Sequence, residues 1–353
     1  MRYLVYLHSI WITQKKLLNI FENSENYEEV FNDIKSWFFE KYDLKDAEKI
    51  KELLKILNKK KIVNILKELD VKIITIKDKN YPKNLKNISN PPYFLYVRWN
   101  LKENEEYFSI VWSRKISEYA KKAWNEIIPK LTKYFTIVSW WATWCDTLAH
   151  NLALKNNAKT IVVFWTWIDL IFPSYNEKLF LEVLENDWAL ISIFPIWTPG
   201  NVYTFPVRNE IVSGISSGVL VLQAGEKSGT LITANLALDQ WKDLFAIPGD
   251  IFNPDFIWTN ELIKNWNAKL VSSSDDILEE YNYKIIKEDK KIPFQNEIEE
   301  NIFNLLKYNL SLSIDDFLEK TNYSYSEISL NISMMEISGI IKKDLFWKYS
   351  INY

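Results

Sequence analysis

The feature that most constrains the fold is a repeated alternation of short apolar runs and helical patterns that begins near residue 108 and ends near residue 281. The runs are almost continuously apolar, as expected for strands buried on both faces of a sheet. In order they are YFSIV, FTIVS, KTIVVF, ALISI, GVLVLQA, DLFAI and AKLV. Repeated strand–helix units predict a parallel sheet covered by helices on both faces. The predicted fold class is therefore α/β, with a Rossmann-like parallel sheet domain over residues 71–283.

Two further regions flank the predicted sheet domain. Residues 1–70 place apolar side chains at helical spacing, which predicts an N-terminal helical domain. Segment 81–99 contains three prolines that bar a helix, so we expect a connection there. A charged linker over 284–291 precedes three short helical patterns and a predicted hairpin. Residues 292–353 are therefore predicted to form a winged-helix-like C-terminal domain.

Composition excludes several classes of protein. The chain has 353 residues, 48% of them hydrophobic and 25% charged, as in ordinary globular proteins. The longest apolar runs are strand-sized, and the N-terminus lacks the pattern of a signal peptide. The single Cys145 excludes an intramolecular disulfide framework and a thiolate metal cluster, and two histidines argue against a histidine-rich metal site. We expect a cytoplasmic protein without membrane association, metal or cofactor. The net charge of −3 argues against a broadly basic surface but permits a local basic groove.

The counts of tryptophan and glycine are both abnormal. The chain has 16 Trp and 7 Gly, whereas average usage predicts about 25 glycines in a chain of this length. The two counts together come close to that figure. One interpretation is a genuinely tryptophan-rich protein. The other, which we favour, is that most Trp letters stand for glycine, because some bacterial lineages read the codon UGA as glycine.

The positions of the tryptophans support this hypothesis. Several follow directly on predicted strands, in VWSRK, SWWATWCD and FWTWID, where the chain must turn into a helix. Glycine is the usual residue at such turns, because it reaches positive φ freely and lets other atoms approach the backbone. Trp241 stands where a helix should end, another position that glycine prefers. Roles in structural turns are predicted for Trp112, Trp140, Trp141, Trp144, Trp165, Trp167, Asp146, Asp169 and Gly249.

With glycine at those positions, the chain resembles the DprA/Smf family of DNA-processing proteins from about Tyr81 to Tyr281. The segments VWSRK, SWWATWCD, FWTWID, FPVRNE, EKSGTLITA and AIPGD follow the order of that family's motifs. Each motif alone is weak, but the ordered set is highly specific. Val207 and Glu210 stand where the family often has arginine, which removes two positive charges from the predicted binding surface.

The resemblance implies a protein that binds single-stranded DNA without reading its sequence and loads the RecA recombinase in transformation or recombination. It also implies a homodimer formed through the Rossmann-like domain, with no catalytic residues. Single strands bind to positive grooves that follow the phosphates, and free N–H groups at a helix start attract phosphate. The DNA-binding residues predicted in this way are Ser113, Arg114, Lys115, Arg208, Asn209, Lys227, Ser228, Gly229 and Thr230.

Two alternatives remain open at the level of sequence. The first is an enzyme that resembles the Rossmann-like nucleotide phosphoribohydrolases, whose PGGxGTxxE signature supplies a glutamate for the chemistry. The segment AGEKSGTLITA lacks a glutamate after Thr230, so we expect no enzyme. The second concerns the C-terminal domain, whose mixed charge favours a protein partner over duplex DNA.

Overall fold

A computed structural model describes the chain except for residues 1, 23–25, 45, 100, 114–115, 141–158, 169–184, 187, 202, 226–227, 284–293, 310, 345–346 and 352–353. The chain divides into two compact units, Met1–Ile285 and Ile286–Tyr353. Each unit is considered by itself below, and the described helices and strands are numbered in chain order. No helix among these residues is long and apolar enough to cross a membrane.

The first unit begins with the helices predicted over residues 1–70. They are α1 Arg2–Ser9, α2 Gln14–Glu22, α3 Tyr27–Lys35, α4 Ala47–Ile56 and α5 Lys59–Glu68, with a 3-10 turn at Glu40–Tyr42. Asn26 and Asn58 cap α3 and α5 through side-chain oxygens that accept backbone N–H bonds. The apolar faces of these helices share one core with Phe94, Tyr96 and Phe164, so helices and sheet belong to the same compact unit.

Nine described strands form one sheet in the order β1-β2-β6-β5-β4-β3-β7-β8-β9. The strands from β3 to β9 are parallel, as predicted, whereas β1 and β2 pair antiparallel at one edge. Their bounds are β1 Val71–Thr75, β2 Phe94–Arg98, β3 Tyr107–Trp112, β4 Thr136–Trp140, β5 Thr160–Val163, β6 Ala189–Ser192, β7 Gly218–Gln223, β8 Asp243–Ala246 and β9 Lys269–Leu270.

The prediction that residues 81–99 form only a connection is wrong in part. Strand β2 lies within that segment and pairs with β6, about ninety residues further along the chain. A short helix, α6 Lys83–Lys86, also lies there directly after Pro82, since proline is tolerated just before a helix. The strand begins shortly after Pro91 and Pro92, so these prolines precede the strand and do not exclude it. The sequence did not reveal the strand, because its pairing partner β6 is distant along the chain.

Helices cover both faces of the parallel strands. They are α7 Glu118–Leu131, α8 Thr204–Ile215, α9 Thr230–Asp239, α10 Ile257–Lys264 and α11 Asp275–Glu280, with a 3-10 turn at Pro254–Phe256. In β7, Val219 and Val221 pack in the core that contains α8 and α9, while Leu220 and Leu222 pack in the core that contains α7 and α11. This alternation explains why the strands read as continuously apolar, and it confirms the predicted α/β fold class.

The second unit contains three helices and a two-stranded antiparallel sheet. They are α12 Glu297–Tyr308, α13 Ile314–Lys320, α14 Tyr325–Ile337, β10 Ile341–Lys343 and β11 Tyr349–Ile351. Complete capping boxes begin α13 at Ser313 and α14 at Ser324. A small core around Ile302, Phe317 and Met335 holds the elements together. The elements agree with those expected from the sequence, and the assignment to winged-helix domains stays a prediction.

Candidate functional site

The carboxyl ends of β4 and β5 carry a layer of aromatic side chains. Trp140 ends β4 and Trp165 lies two residues beyond β5. Trp112, which ends β3, packs instead in the core that contains α7, with its ring centroid 5.0 Å from that of Trp124. The ring centroid of Phe205, in the first turn of α8, lies 6.2 Å from that of Trp140 and 5.8 Å from that of Trp165. In open parallel sheets, ligands bind outside the carboxyl ends of the strands. The indoles therefore occupy the edge at which a ligand is expected.

Arg208 lies within this aromatic layer. It extends from α8 and is fully buried, with the guanidinium carbon 4.8 Å from the ring centroid of Phe205 and 5.2 Å from that of Trp140. Its Nε donates a hydrogen bond of 2.9 Å to Oδ1 of Asn209. Both rings attract the cation through their electron-rich faces. The structure thus places a positive charge against the carboxyl end of β4.

The start of α9 lies beside the same phenylalanine. A Cβ atom at Gly229 would lie 3.4 Å from Cε1 of Phe205, and the same ring contacts the guanidinium of Arg208. The Phe205 ring therefore lies between Gly229 and Arg208. Ser228 Oγ accepts a bond of 3.2 Å from the backbone N–H of Thr230, the first residue of α9. The free N–H groups and dipole of a helix start favour anions. Arg208, Asn209 and the segment 228–230 are therefore brought to one place.

Gln223 organises the connection between β3 and α7. Its Oε1 accepts a 2.8 Å bond from the backbone N–H of Ser117, and its Nε2 donates a 2.9 Å bond to Oγ of Ser113. The backbone N–H of Ser113 donates to the Gln223 carbonyl at 3.0 Å. Ser117 in turn caps α7 by accepting from Ala120 N–H. These bonds tie both sides of the predicted basic segment 114–115 to the carboxyl end of β7.

The Gly249 turn follows β8 and is held from both sides by one amide. Oδ1 of Asn260 accepts from the Gly249 N–H, and Nδ2 of Asn260 donates to the Gly249 carbonyl, each at 3.1 Å. A Cβ atom at Gly249 would overlap the ring of Phe256.

Trp167 is buried elsewhere, with its ring edge-on to Tyr96 at 4.6 Å. Of the residues predicted for the site, Arg114, Lys115, Lys227, Trp141, Trp144, Asp146 and Asp169 lie outside the described residues.

Two residues of the site were missed by sequence reasoning. Phe205 contacts the arginine, two indoles and the start of α9, and its only signal was an aromatic residue inside the FPVRNE motif. Gln223 is a fully buried polar residue at the end of the apolar run GVLVLQ. A polar residue that ends a buried strand is a usable signal, because it must find hydrogen-bond partners.

The chemistry of the described site is that of binding. It combines a guanidinium, aromatic rings and the start of a helix, which together suit a ligand with phosphates and planar groups. Glu210 lies two residues beyond Arg208, and burial raises the pKa of its carboxyl. Within the described residues, no three His, Cys, Asp or Glu side chains are grouped so that they could hold a metal ion.

Comparison with known proteins agrees with this geometry. Residues 72–282 match the family described as DNA recombination-mediator protein A. The chain is 35% identical to DNA processing protein DprA of Streptococcus pneumoniae, in a match covering 59% of this chain and 74% of the relative. It is 36% identical to Protein Smf of Escherichia coli, where the match covers 58% of this chain and 54% of the relative.

Two solved structures are also similar. The X-ray structure of DprA from Streptococcus pneumoniae superposes with a TM-score of 0.68 at 29% identity, covering 80% of this chain and 99% of the other. DprA from Helicobacter pylori, in a structure described as giving insight into its single-stranded DNA binding mode, superposes with a TM-score of 0.52 at 26% identity. It covers 60% of this chain and 95% of that one. The resemblance drawn from the ordered motifs is confirmed, and the chain belongs to the DNA recombination-mediator protein A family.

Proposed function

We propose that this protein binds single-stranded DNA, without reading its sequence, along the carboxyl edge of β3, β4, β5 and β7. The observation that carries the proposal is the guanidinium of Arg208 packed on the Phe205 ring beside the start of α9. A single strand offers phosphates and bases in alternation, and proteins that bind it without sequence preference combine positive groups with stacking surfaces. The site contains both kinds of group in contact, since the guanidinium carbon of Arg208 lies 4.8 Å from the ring centroid of Phe205.

We expect the cations predicted on neighbouring connections to extend this surface. In the sequence, Arg114 and Lys115 follow β3, where Gln223 holds the flanking residues, and Lys227 directly precedes Ser228. Because parallel strands end at the same edge, the connections after β3 and β7 begin at the edge where α8 begins. The published single-stranded DNA binding mode of the Helicobacter pylori relative supports the same ligand class.

The proposal includes a biological role. The protein protects single-stranded DNA during transformation or recombination, loads RecA onto it and acts as a homodimer in the cytoplasm. These steps rest on membership of the family and need no catalytic group. Loading is measured as RecA filament formation on oligo-dT with and without the protein, and a filament rate unchanged by the protein would remove this part of the proposal.

Binding is tested by fluorescence anisotropy of labelled oligo-dT over a range of salt concentrations. The protein is made with glycine at Trp140 and Trp165, so that these two indoles do not fill the groove. Arg208→Ala should weaken binding about 10- to 150-fold, since a hydrogen bond to a charged group contributes about 1.5–3 kcal/mol. The slope of log affinity against log salt should fall by about 0.7 for one lost phosphate contact.

Arg98→Ala is the matched control. Arg98 ends β2 and pairs with Leu190, at the amino ends of the parallel strands, on the opposite edge of the sheet. Its removal should leave both affinity and salt slope unchanged. Equal behaviour of the two variants would refute the groove assignment. Hydrolysis of AMP-type nucleotides without any binding of oligo-dT would instead favour the phosphoribohydrolase alternative.

A further inference from the structure

Tryptophan occupies left-handed backbone positions throughout the described chain. Among the described residues, every non-glycine residue with positive φ other than tryptophan is Asp or Asn, the two types that tolerate this region. The tryptophans are bulky aromatic residues, for which such a backbone is a genuine outlier. Their φ angles run from 57° to 78°, at Trp11, Trp37, Trp99, Trp197, Trp241, Trp266 and Trp347.

Four of these tryptophans end helices in the same way as a glycine does. Trp241 follows α9, donates to Leu238 O at 3.0 Å, and is followed by Lys242, which donates to Ala237 O at 2.9 Å. This pair of backbone hydrogen bonds defines the Schellman motif, whose left-handed residue is usually glycine. The same pattern follows α1 at Trp11, α3 at Trp37 and α10 at Trp266.

Gly339 provides an internal reference for that motif. It follows α14 with φ of 73°, donates to Glu336 O at 3.0 Å, and the next residue donates to Met335 O at 2.9 Å. The backbone at the four tryptophans is therefore the backbone that this chain builds with a real glycine. At Trp241 and Trp266 nothing in the packing requires an indole, since these side chains are 94% and 96% exposed.

Two buried tryptophans leave an indole N–H unsatisfied. Among the residues that the structure describes, no hydrogen-bond acceptor meets the buried indole N–H of Trp124 or of Trp167, whereas buried tryptophans usually find one. A Cβ atom at Gly200 would lie 3.1 Å from the ring of Trp165. At the carboxyl edge, Trp140 and Trp165 fill the space in front of Phe205 and Arg208.

We infer that the natural polypeptide carries glycine, not tryptophan, at the left-handed positions and at the carboxyl edge, because its host reads UGA as glycine. At the seven left-handed positions, the backbone angles carry this inference independently of the composition that first suggested it. Trp140 and Trp165 at the carboxyl edge do not have positive φ, and there the inference rests on their indoles, which pack against Phe205 in front of Arg208. It follows that the groove is open in the natural protein. Arg208, fully buried against Trp140 and Phe205 here, then faces solvent across the space that the indoles of Trp140 and Trp165 occupy.

The decisive experiment is peptide mass spectrometry of the protein purified from its natural host, together with the codons of the gene. The expected result is UGA at Trp11, Trp37, Trp241 and Trp266, and peptides with the mass of glycine at those sites. Codons UGG, or peptides with the mass of tryptophan, would overturn the inference. Neither measurement involves DNA, so failure here is distinct from failure of the proposed function.

The open groove is tested with an arginine-specific dicarbonyl reagent and peptide mapping, which also needs no DNA. The chain has four arginines, so each modified peptide is assigned unambiguously. In the chain with tryptophan at 140 and 165, Arg208 should stay unmodified while the partly buried Arg98 reacts. In the variant with glycine at those two positions, Arg208 should react to a similar extent as Arg98. A double variant that loses cooperative unfolding, or one in which Arg208 stays protected, would refute an open groove.

Discussion

Replacing an exposed tryptophan at a helix end by glycine should stabilise the protein. Trp241 and Trp266 are suited to this test, because they are 94% and 96% exposed and hold φ of 57° and 60°. An L-residue in the left-handed region costs roughly 1–2 kcal/mol, which glycine does not incur. At most positions in a protein, replacing a large apolar side chain by glycine lowers the free energy of unfolding. A stabilising effect is therefore an unusual prediction.

The magnitude follows from two smaller opposing contributions. At about 95% exposure, the indole buries on the order of 10 Å², which at about 25 cal/mol per Å² contributes only about 0.3 kcal/mol. The greater freedom of glycine in the unfolded chain offsets a further ~0.5 kcal/mol. The net gain for Trp241→Gly, and separately for Trp266→Gly, is about 0.7 kcal/mol. For a unit of this size, that corresponds to a rise in melting temperature of about 1–3 °C.

Thermal unfolding followed by circular dichroism measures the shift. Trp241→Ala is the matched control, because it removes the indole and keeps an L-residue at positive φ, so it should gain nothing. Gly339→Ala reverses the perturbation: no heavy atom lies within 4 Å of the added methyl, and stability should fall by about 1 kcal/mol from the backbone alone. If Trp241→Gly and Trp266→Gly were neutral or destabilising while Gly339→Ala destabilised, the argument from backbone conformation would be refuted.

Three further predictions concern two residues near the site and one buried histidine in α1. Gly249→Ala should destabilise by about 1–3 kcal/mol in urea unfolding, because its methyl would overlap Phe256, whereas Gly229→Ala should be nearly neutral. Gln223→Ala should lower the free energy of unfolding by about 1–3 kcal/mol, because it removes the bonds to Ser113 and Ser117. It should also weaken oligo-dT binding, because those bonds hold both ends of the connection that carries Arg114. Unchanged binding would show that this connection is not part of the groove. Burial holds the pKa of His8 at about 3, below its ordinary value of 6.5, so only the unfolded chain binds the proton as pH falls below about 6.5. Unfolding free energy should therefore drop by about 2 kcal/mol between pH 7.5 and pH 5, and His8→Leu should abolish this part of the pH dependence.

The α/β architecture was predictable because its signal is local. Each parallel strand is a short apolar run between helical patterns, and the seven predicted runs correspond to β3 through β9. The end of the helix before Trp241 was also predictable, because the apolar helical pattern stops there in the sequence. Trp241, which follows, has the left-handed backbone that commonly ends a helix. The ordered motifs sufficed to identify the family because they mark the ends of successive strands.

The edge of the sheet and the contacts within the site were decided by the tertiary structure. Strand β2 follows two prolines, and its partner β6 lies about ninety residues further along the chain, so its antiparallel pairing depends on residues that are far apart in sequence. The contact of Phe205 with Arg208 and Trp140, and the bonds from Gln223 to the β3–α7 connection, likewise join elements separated by many residues. The sequence by itself determined which residues reach the carboxyl edge, because strand order along the chain and side-chain periodicity are local properties. Which of those residues touch, and that Arg208 is buried beneath an indole, depended on packing between distant elements, which no local pattern encodes.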